Sequence, residues 1–216
     1  ENLTGTTDTT VTPGVKSYDG FIAPQPRTIK IGADGKTVVF YEYTTNGYKL
    51  TYEWFDETGT KHTEPQDVKF EQSVTPKTMP EVTGYTFSGW TSTSVDASGA
   101  FNMPHDAVTL AGKYTANTYK ITYLGMDKAT HGTYHPDTHT YDTATVISNP
   151  ARKDYRFLGW SINGSSKTYV DLTLGAKDYT ADITLTAVWQ LDIDPKYDVK
   201  LPNTGKGNVS VRPDPA

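Results

Sequence analysis

The sequence predicts a mainly β chain of small tandem repeats in an elongated array, and three observations predict it. Apolar and polar residues alternate with the period of a half-buried strand at the start and end of a unit that occurs twice. No run of ten or more residues with a helical period stands out between them. Hydrophobic residues make up only 35% of the 216 residues yet include 15 Tyr, 7 Phe and 4 Trp, the composition of small cores built on large rings. Without a single cysteine, burial alone has to hold such modules together.

Taken in order, residues 1–13 are rich in Thr and Gly and read as disordered or extended. Residues 27–31, the turn Gly32-Ala33-Asp34-Gly35 and residues 36–43 read as a hairpin, Asp-Gly supplying the positive φ of a tight turn. Residues 1–45 are therefore assigned to the C-terminal part of a preceding β module. Tyr48-Lys49-Leu50-Thr51-Tyr52 then opens a repeat, with Tyr48, Leu50, Tyr52 and Trp54 on one face, and returns 71 residues later as Tyr119-Lys120-Ile121-Thr122-Tyr123. Tyr85-Thr86-Phe87-Ser88-Gly89-Trp90 returns after 70 residues as Tyr155-Arg156-Phe157-Leu158-Gly159-Trp160. The closing run from Val108 to Tyr114 returns after 75 as Ile183 to Trp189, which places an insertion before the last strand. Two repeats, 46–117 and 118–190, thus abut without a Gly/Ser linker and read as a stiff array. The best short-helix candidates are residues 102–107 and 172–178, and residues 191–216 form an extended tail.

The formal net charge is −5 and no run of Lys or Arg occurs, which excludes an electrostatic footprint for nucleic acid. No stretch approaches the roughly 20 apolar residues of a membrane span, and the first residues lack the charged start and apolar core of a signal peptide, so the sequence reads as a mature or excised segment. No cysteine nucleophile, Gly-x-Ser-x-Gly elbow, phosphate loop or His-Glu-x-x-His is present, so the chain is read as no enzyme and as needing no cofactor.

The two Tyr-x-Phe-x-Gly-Trp copies, the opening Tyr-x-Leu/Ile-Thr-Tyr strands, Pro80 and Pro150 in the middle and the aromatic-ended closing strands carry a resemblance. On them, residues 46–190 resemble the internalin-type B repeat, or Listeria-Bacteroides repeat, of bacterial surface proteins. The resemblance implies a compact β-grasp-like module used as stalk, spacer or interaction unit. The usual Asn-Gly-Gly after the first strand is replaced by residues 55–59 and by Met126-Asp127-Lys128. In the tail, Leu201-Pro202-Asn203-Thr204-Gly205 resembles the Leu-Pro-x-Thr-Gly sorting signal. That resemblance implies cleavage between Thr204 and Gly205 by a sortase and linkage of the Thr carboxyl to a Gram-positive cell wall. The polar residues 206–216 lack the apolar span and basic tail that normally complete such a signal. Together these features point to an extracellular, wall-attached adhesin-type array that binds a host or partner protein, an immunoglobulin among the candidates. The alternatives are a carbohydrate- or mucin-binding module and a purely structural spacer.

Trp90 and Trp160 recur at equivalent positions and are expected to anchor cores. Trp54, Tyr134, Tyr141 and Tyr169 are not duplicated in that way and are the candidate ligand contacts, with Trp54, Tyr134 and Tyr169 as the rings a sugar would stack on. His131, His135 and His139 recur every fourth residue. On a strand they would share a face about 13 Å apart, too far for one ion with ligands at about 2.1 Å, so no metal site is assigned and they are expected on the surface or in a hairpin. Asp192, Asp194 and Asp198 lack the spacing of a calcium loop and read as solvated linker.

Overall fold

The computed structural model describes residues 3–192. The sorting-like motif Leu201 to Gly205, Asp194 and Asp198 lie outside the described residues. All regular elements among the described residues are strands. The chain divides into two compact units, one of Glu1–Lys120, Thr138–Thr145 and Gly175–Asp182, the other of Ile121–Asp137, Val146–Leu174 and the residues from Ile183.

The first unit contains the sheet of the first repeat. Its strands are β1 (Gly47–Phe55), β2 (Lys61–Lys69), β3 (Tyr85–Phe87) and β4 (Val108–Ala116), in the order β2-β1-β4-β3. Alternation in β1 turns Leu50 and Tyr52 inward, and alternation in β4 does the same for Val108 and Leu110. The opening and closing strands lie side by side in parallel, Leu50 opposite Val108, an arrangement that requires a long crossover. Here the crossover is irregular chain carrying β2 and β3, each antiparallel to its neighbour, with Val68 and Val74 packed on the same core.

The second repeat is built on the same register. Its strands are β5 (Thr118–Leu124), β6 (Thr138–Thr140), β7 (Tyr155–Ile162) and β8 (Ile183–Leu191). In the second unit Ile121 of β5 lies parallel and opposite Ile183 of β8, as Leu50 does to Val108, and Phe157 of β7 lies opposite Trp189, as Phe87 does to Tyr114. Ile121, Ile147, Trp160, Leu172, Leu174, Ile183 and Leu185 are buried. In the first unit, β6 pairs antiparallel with the start of β5, Tyr119 opposite His139.

Two expected elements are absent. Residues 102–107 and 172–178 are not helical. Met103 exchanges backbone hydrogen bonds with Glu71 and Gln72, and Leu172 and Leu174 are buried on either side of exposed Thr173, a strand period that overrides any helical preference. Nor do residues 27–43 close into a hairpin. Ile29–Lys30 pairs instead with Thr10–Val11, while the Tyr41 and Tyr43 hydroxyls donate to the carbonyls of Pro13 and Lys16 at 2.8 and 2.7 Å and draw that segment onto residues 13–16. The Gly32–Gly35 turn itself forms, held by the Thr37 hydroxyl and the Asp34 carboxylate.

Within the first unit one arrangement occurs twice. Gly20 and Gly84 each occupy the third position of a four-residue turn with φ of 81° and 77°, the left-handed region that favours glycine. The Gly20 carbonyl accepts from Asn46 N–H and the Asn46 carbonyl from Phe70 N–H, both at 2.8 Å; Gly84, Asn117 and Tyr141 repeat this at 2.8 and 2.9 Å. The Phe70 ring sits over Gly20 with its edge to Phe21, and the Tyr141 ring over Gly84 with its edge to Tyr85, the ring planes at 82° and 84°. A Cβ at Gly84 would lie 2.2 Å from two Tyr141 ring carbons. Gly84→Ala is therefore expected to cost about 2–4 kcal/mol, combining left-handed strain with overpacking. Gly99→Ala, where a Cβ meets nothing within 4 Å, is expected to change stability by less than about 0.5 kcal/mol; urea unfolding of the two variants measures both.

Candidate functional site

A dense aromatic grouping lies in the first repeat. Trp90 packs edge-on against Tyr52 and Phe87, with ring centroids 4.9 and 5.0 Å away, and its Nε1–H donates to the Lys77 carbonyl at 2.6 Å. That bond holds the Lys77 backbone against the rings, and the Lys77 Nζ turns back to lie 4.1 Å from the Trp54 ring centroid and 4.9 Å from that of Tyr52. Its charge is paired with Glu64 on β2. His62 stacks on Trp54 at 5.0 Å and 15°, and bonds the Asp56 carboxylate at 2.8 Å. The other Asp56 oxygen accepts from the backbone of Thr58 and Thr60 and from the Thr58 hydroxyl, closing the turn between β1 and β2. His62 first, then Thr58, holds the Asp56 carboxyl well below the usual carboxylate range. An ammonium among aromatic faces is the arrangement by which proteins bind external cations; here the occupant is the chain's own Lys77.

The second repeat keeps the anchor and changes the surround. Trp160 is 1% exposed and packs edge-on against Tyr123 and Phe157. The position equivalent to Trp54 is Gly125, whose carbonyl accepts from Trp189 Nε1–H at 2.8 Å. The Tyr123 hydroxyl donates to the Pro136 carbonyl, and burial, assisted by the Asp137 charge, pushes its pKa up to about 12. His131 meets Tyr123 edge-on and stacks on His135 at 4.7 Å.

His139 departs from the surface or hairpin position expected of it: it is fully buried on β6, because strand alternation turns it inward between exposed Thr138 and half-buried Thr140. Its Nδ1 lies 2.8 Å from the Thr145 hydroxyl, its ring meets Tyr179 edge-on, and its Nε2 has no hydrogen-bond partner. Burial pulls its pKa down, with Asp178 opposing. Among the described residues no group of three or more His, Asp or Glu is arranged to hold a metal ion.

The four residues singled out as ligand contacts have different surroundings. Trp54 is half-buried beneath Lys77 and His62. Tyr134 is 62% exposed, its backbone tied to Ser148. Tyr169 is half-buried opposite Trp160 with the Lys167 ammonium 4.8 Å from its ring. Tyr141 is 8% exposed, seated over Gly84. Among the described residues no ring contact joins any two of the four. Sequence reasoning missed Lys77 and His62, which meet Trp54, and Glu64, which pairs with Lys77, across strands and a crossover that a single sequence does not pair. It also missed the recurrence of Phe70 as Tyr141 and of Asn46 as Asn117, both at the offset of 71 already visible in the opening strands.

Near the N-terminus a hollow of about 680 Å³ is lined by Val11, Ile29, Ile31, Val39, Tyr41 and Tyr43 among others. Its lining contains Lys16 but no carboxylate and no histidine, so it holds no pair of carboxyl groups of the kind glycoside hydrolysis uses.

The sequence profile of the Listeria-Bacteroides repeat domain matches residues 48–115 and 119–188. Among solved structures, one described as Streptococcal High Identity Repeats in Tandem (SHIRT) domains 3-4 from cell surface protein is similar at 15% identity and a TM-score of 0.24, over 67% of this chain and 98% of that one.

Two predictions follow from these surroundings. Lys77→Met keeps the aliphatic stem but removes the charge from the rings; it is expected to cost about 0.5–2 kcal/mol and to raise acrylamide quenching of tryptophan fluorescence. For His139, the fold holds the imidazole neutral whereas the unfolded chain takes up a proton near the ordinary value of 6.5. The unfolded state therefore binds more protons as pH falls, and stability drops between about pH 7 and about pH 5. Chemical denaturation at both pH values is expected to show that slope flattened in His139→Leu, whereas the contribution of Asp56 is lost only below the ordinary carboxyl value of 3.8.

Proposed function

The chain belongs to the Listeria-Bacteroides repeat family, and on that premise we propose that it is a non-enzymatic repeat array displayed outside a bacterial cell, whose work is to hold and present rather than to capture. The observation that carries this reading is that the groups by which small β modules usually bind are already engaged within the chain. Trp54 is covered by Lys77 and His62, and Trp160 and Tyr141 are buried. The edge strand β2 carries Pro65 at its centre, opposite Thr51, and the cross-strand ion pairs Lys49–Asp67 and Lys61–Glu53, each at 3.0 Å. Proline and charge on an edge oppose addition of a foreign strand.

The same proposal includes attachment to a Gram-positive wall through Thr204, which rests on the sorting-like pentapeptide. Host-protein binding is the competing reading, and the exposed ring of Tyr134 is the residue it would use first. Surface-based binding of the purified chain to a panel of glycans and extracellular host proteins, immunoglobulins included, separates the two. The display reading predicts no saturable binding. Saturable binding that is lost in Tyr134→Ala would replace it with an adhesin, and binding to glycans lost in Trp54→Ala would replace it with a lectin.

A further inference from the structure

The turn at residues 152–155 repeats the geometry of the two glycine joints without their chemistry. Arg152 pairs with Tyr155 across the turn as Val82 does with Tyr85. Asp154 has a φ of 63°, where Gly20 has 81° and Gly84 has 77°. Asp192 N–H donates to the Asp154 carbonyl at 2.9 Å, as Asn46 does to Gly20 and Asn117 to Gly84. The turn and the first of the joint's two backbone hydrogen bonds are therefore present a third time.

Its steric half is filled. At Gly84 and Gly20 the volume a Cβ would occupy is taken by the ring of Tyr141 or Phe70, with ring carbons 2.2 and 2.4 Å from the Cβ position. Asp154, in the same left-handed conformation, already carries a Cβ and a carboxylate there. The flanking aromatic is covered as well: the Arg152 guanidinium lies 3.9 Å from the Tyr155 ring centroid, whereas Phe21 and Tyr85 meet the incoming ring edge-on. Where the open joints read Tyr18-Asp19-Gly20 and Val82-Thr83-Gly84, this turn reads Arg152-Lys153-Asp154, charged at all three places.

We propose that residues 152–155 are a closed copy of the joint, which refuses the aromatic ring of a further repeat of this kind and so fixes the point at which stacking of repeats stops. Positions 154 and 152 decide it, the first by steric exclusion and the second by masking the Tyr155 ring with charge. Solenoid and tandem arrays end in repeats with a polar outer face for the same reason, since an open apolar joint invites uncontrolled addition. A segment of other chemistry is free to follow. The inference stands on the joint geometry and does not depend on the display reading.

The test is the full chain with residues 118–192 duplicated in tandem, made once with the native turn and once with Arg152→Val and Asp154→Gly in the middle repeat. Limited proteolysis with a nonspecific protease reads each boundary, since cleavage tracks the opened population. With the native turn, the boundary after Asp192 is expected to be cut at least about tenfold faster than the Asn117–Thr118 boundary of the same molecule, and the double substitution is expected to protect it to the level of Asn117–Thr118. A boundary protected equally in both versions would overturn the proposal. So would a boundary cut equally fast in both while Asn117–Thr118 stays protected. As a reciprocal check independent of the duplicated repeat folding, Val82→Arg with Gly84→Asp in the unmodified chain is expected to expose Asn117–Thr118, and unchanged protection there would equally count against the proposal.

Discussion

An aromatic ring laid over a left-handed glycine needs the space that a Cβ would fill, and this chain meets that requirement at Gly20 and again at Gly84. Much else is arranged around it. The glycine carbonyl fixes the asparagine that begins the next repeat, the asparagine carbonyl fixes the backbone of the incoming aromatic, and the opening strand starts directly after the asparagine. A chain with no disulfide and few aliphatic residues gains order from such fixed points, because each combines ring burial, two backbone hydrogen bonds and an edge-to-face aromatic contact in about six residues.

Within each repeat the same economy of large rings recurs. Trp90 and Trp160 are each pinned by an indole hydrogen bond to a crossover carbonyl, Lys77 in one case and Ser148 in the other. The two repeats then diverge in what surrounds the anchor. The first brings Trp54, His62 and Lys77 to the rings, whereas the second substitutes Gly125 and a stacked His131–His135 pair. A common frame with a variable surround is how repeated modules keep one fold while changing their surfaces.

The frame was legible from sequence because its signals are local. Period-two alternation gave β1, β4, β5 and β8, and recurrence marked Trp90 and Trp160 as anchors. The parallel pairing of opening and closing strands followed from their common sheet only once the register was seen. What escaped was set by distant partners. Glycine has no side-chain pattern to betray that Gly84 lies beneath Tyr141, 57 residues on. Tyr141 looked unduplicated because its counterpart at the offset of 71 is Phe70. Residues 172–178 suggested a helix, yet burial of Leu172 and Leu174 decided for an extended chain. His139 was grouped with His131 and His135 by spacing, while β6 turns it into the interior and leaves the other two stacked on each other.

The joint is tested most directly by nuclear magnetic resonance on the intact chain, through the Hα shifts of Gly20 and Gly84. A ring seated over the glycine moves those protons upfield of Gly99, which has no such neighbour, and gives contacts from Gly84 Hα to the Tyr141 ring and from Gly20 Hα to the Phe70 ring. Gly84 and Gly20 Hα shifts matching that of Gly99, with no contact to either ring, would contradict the account.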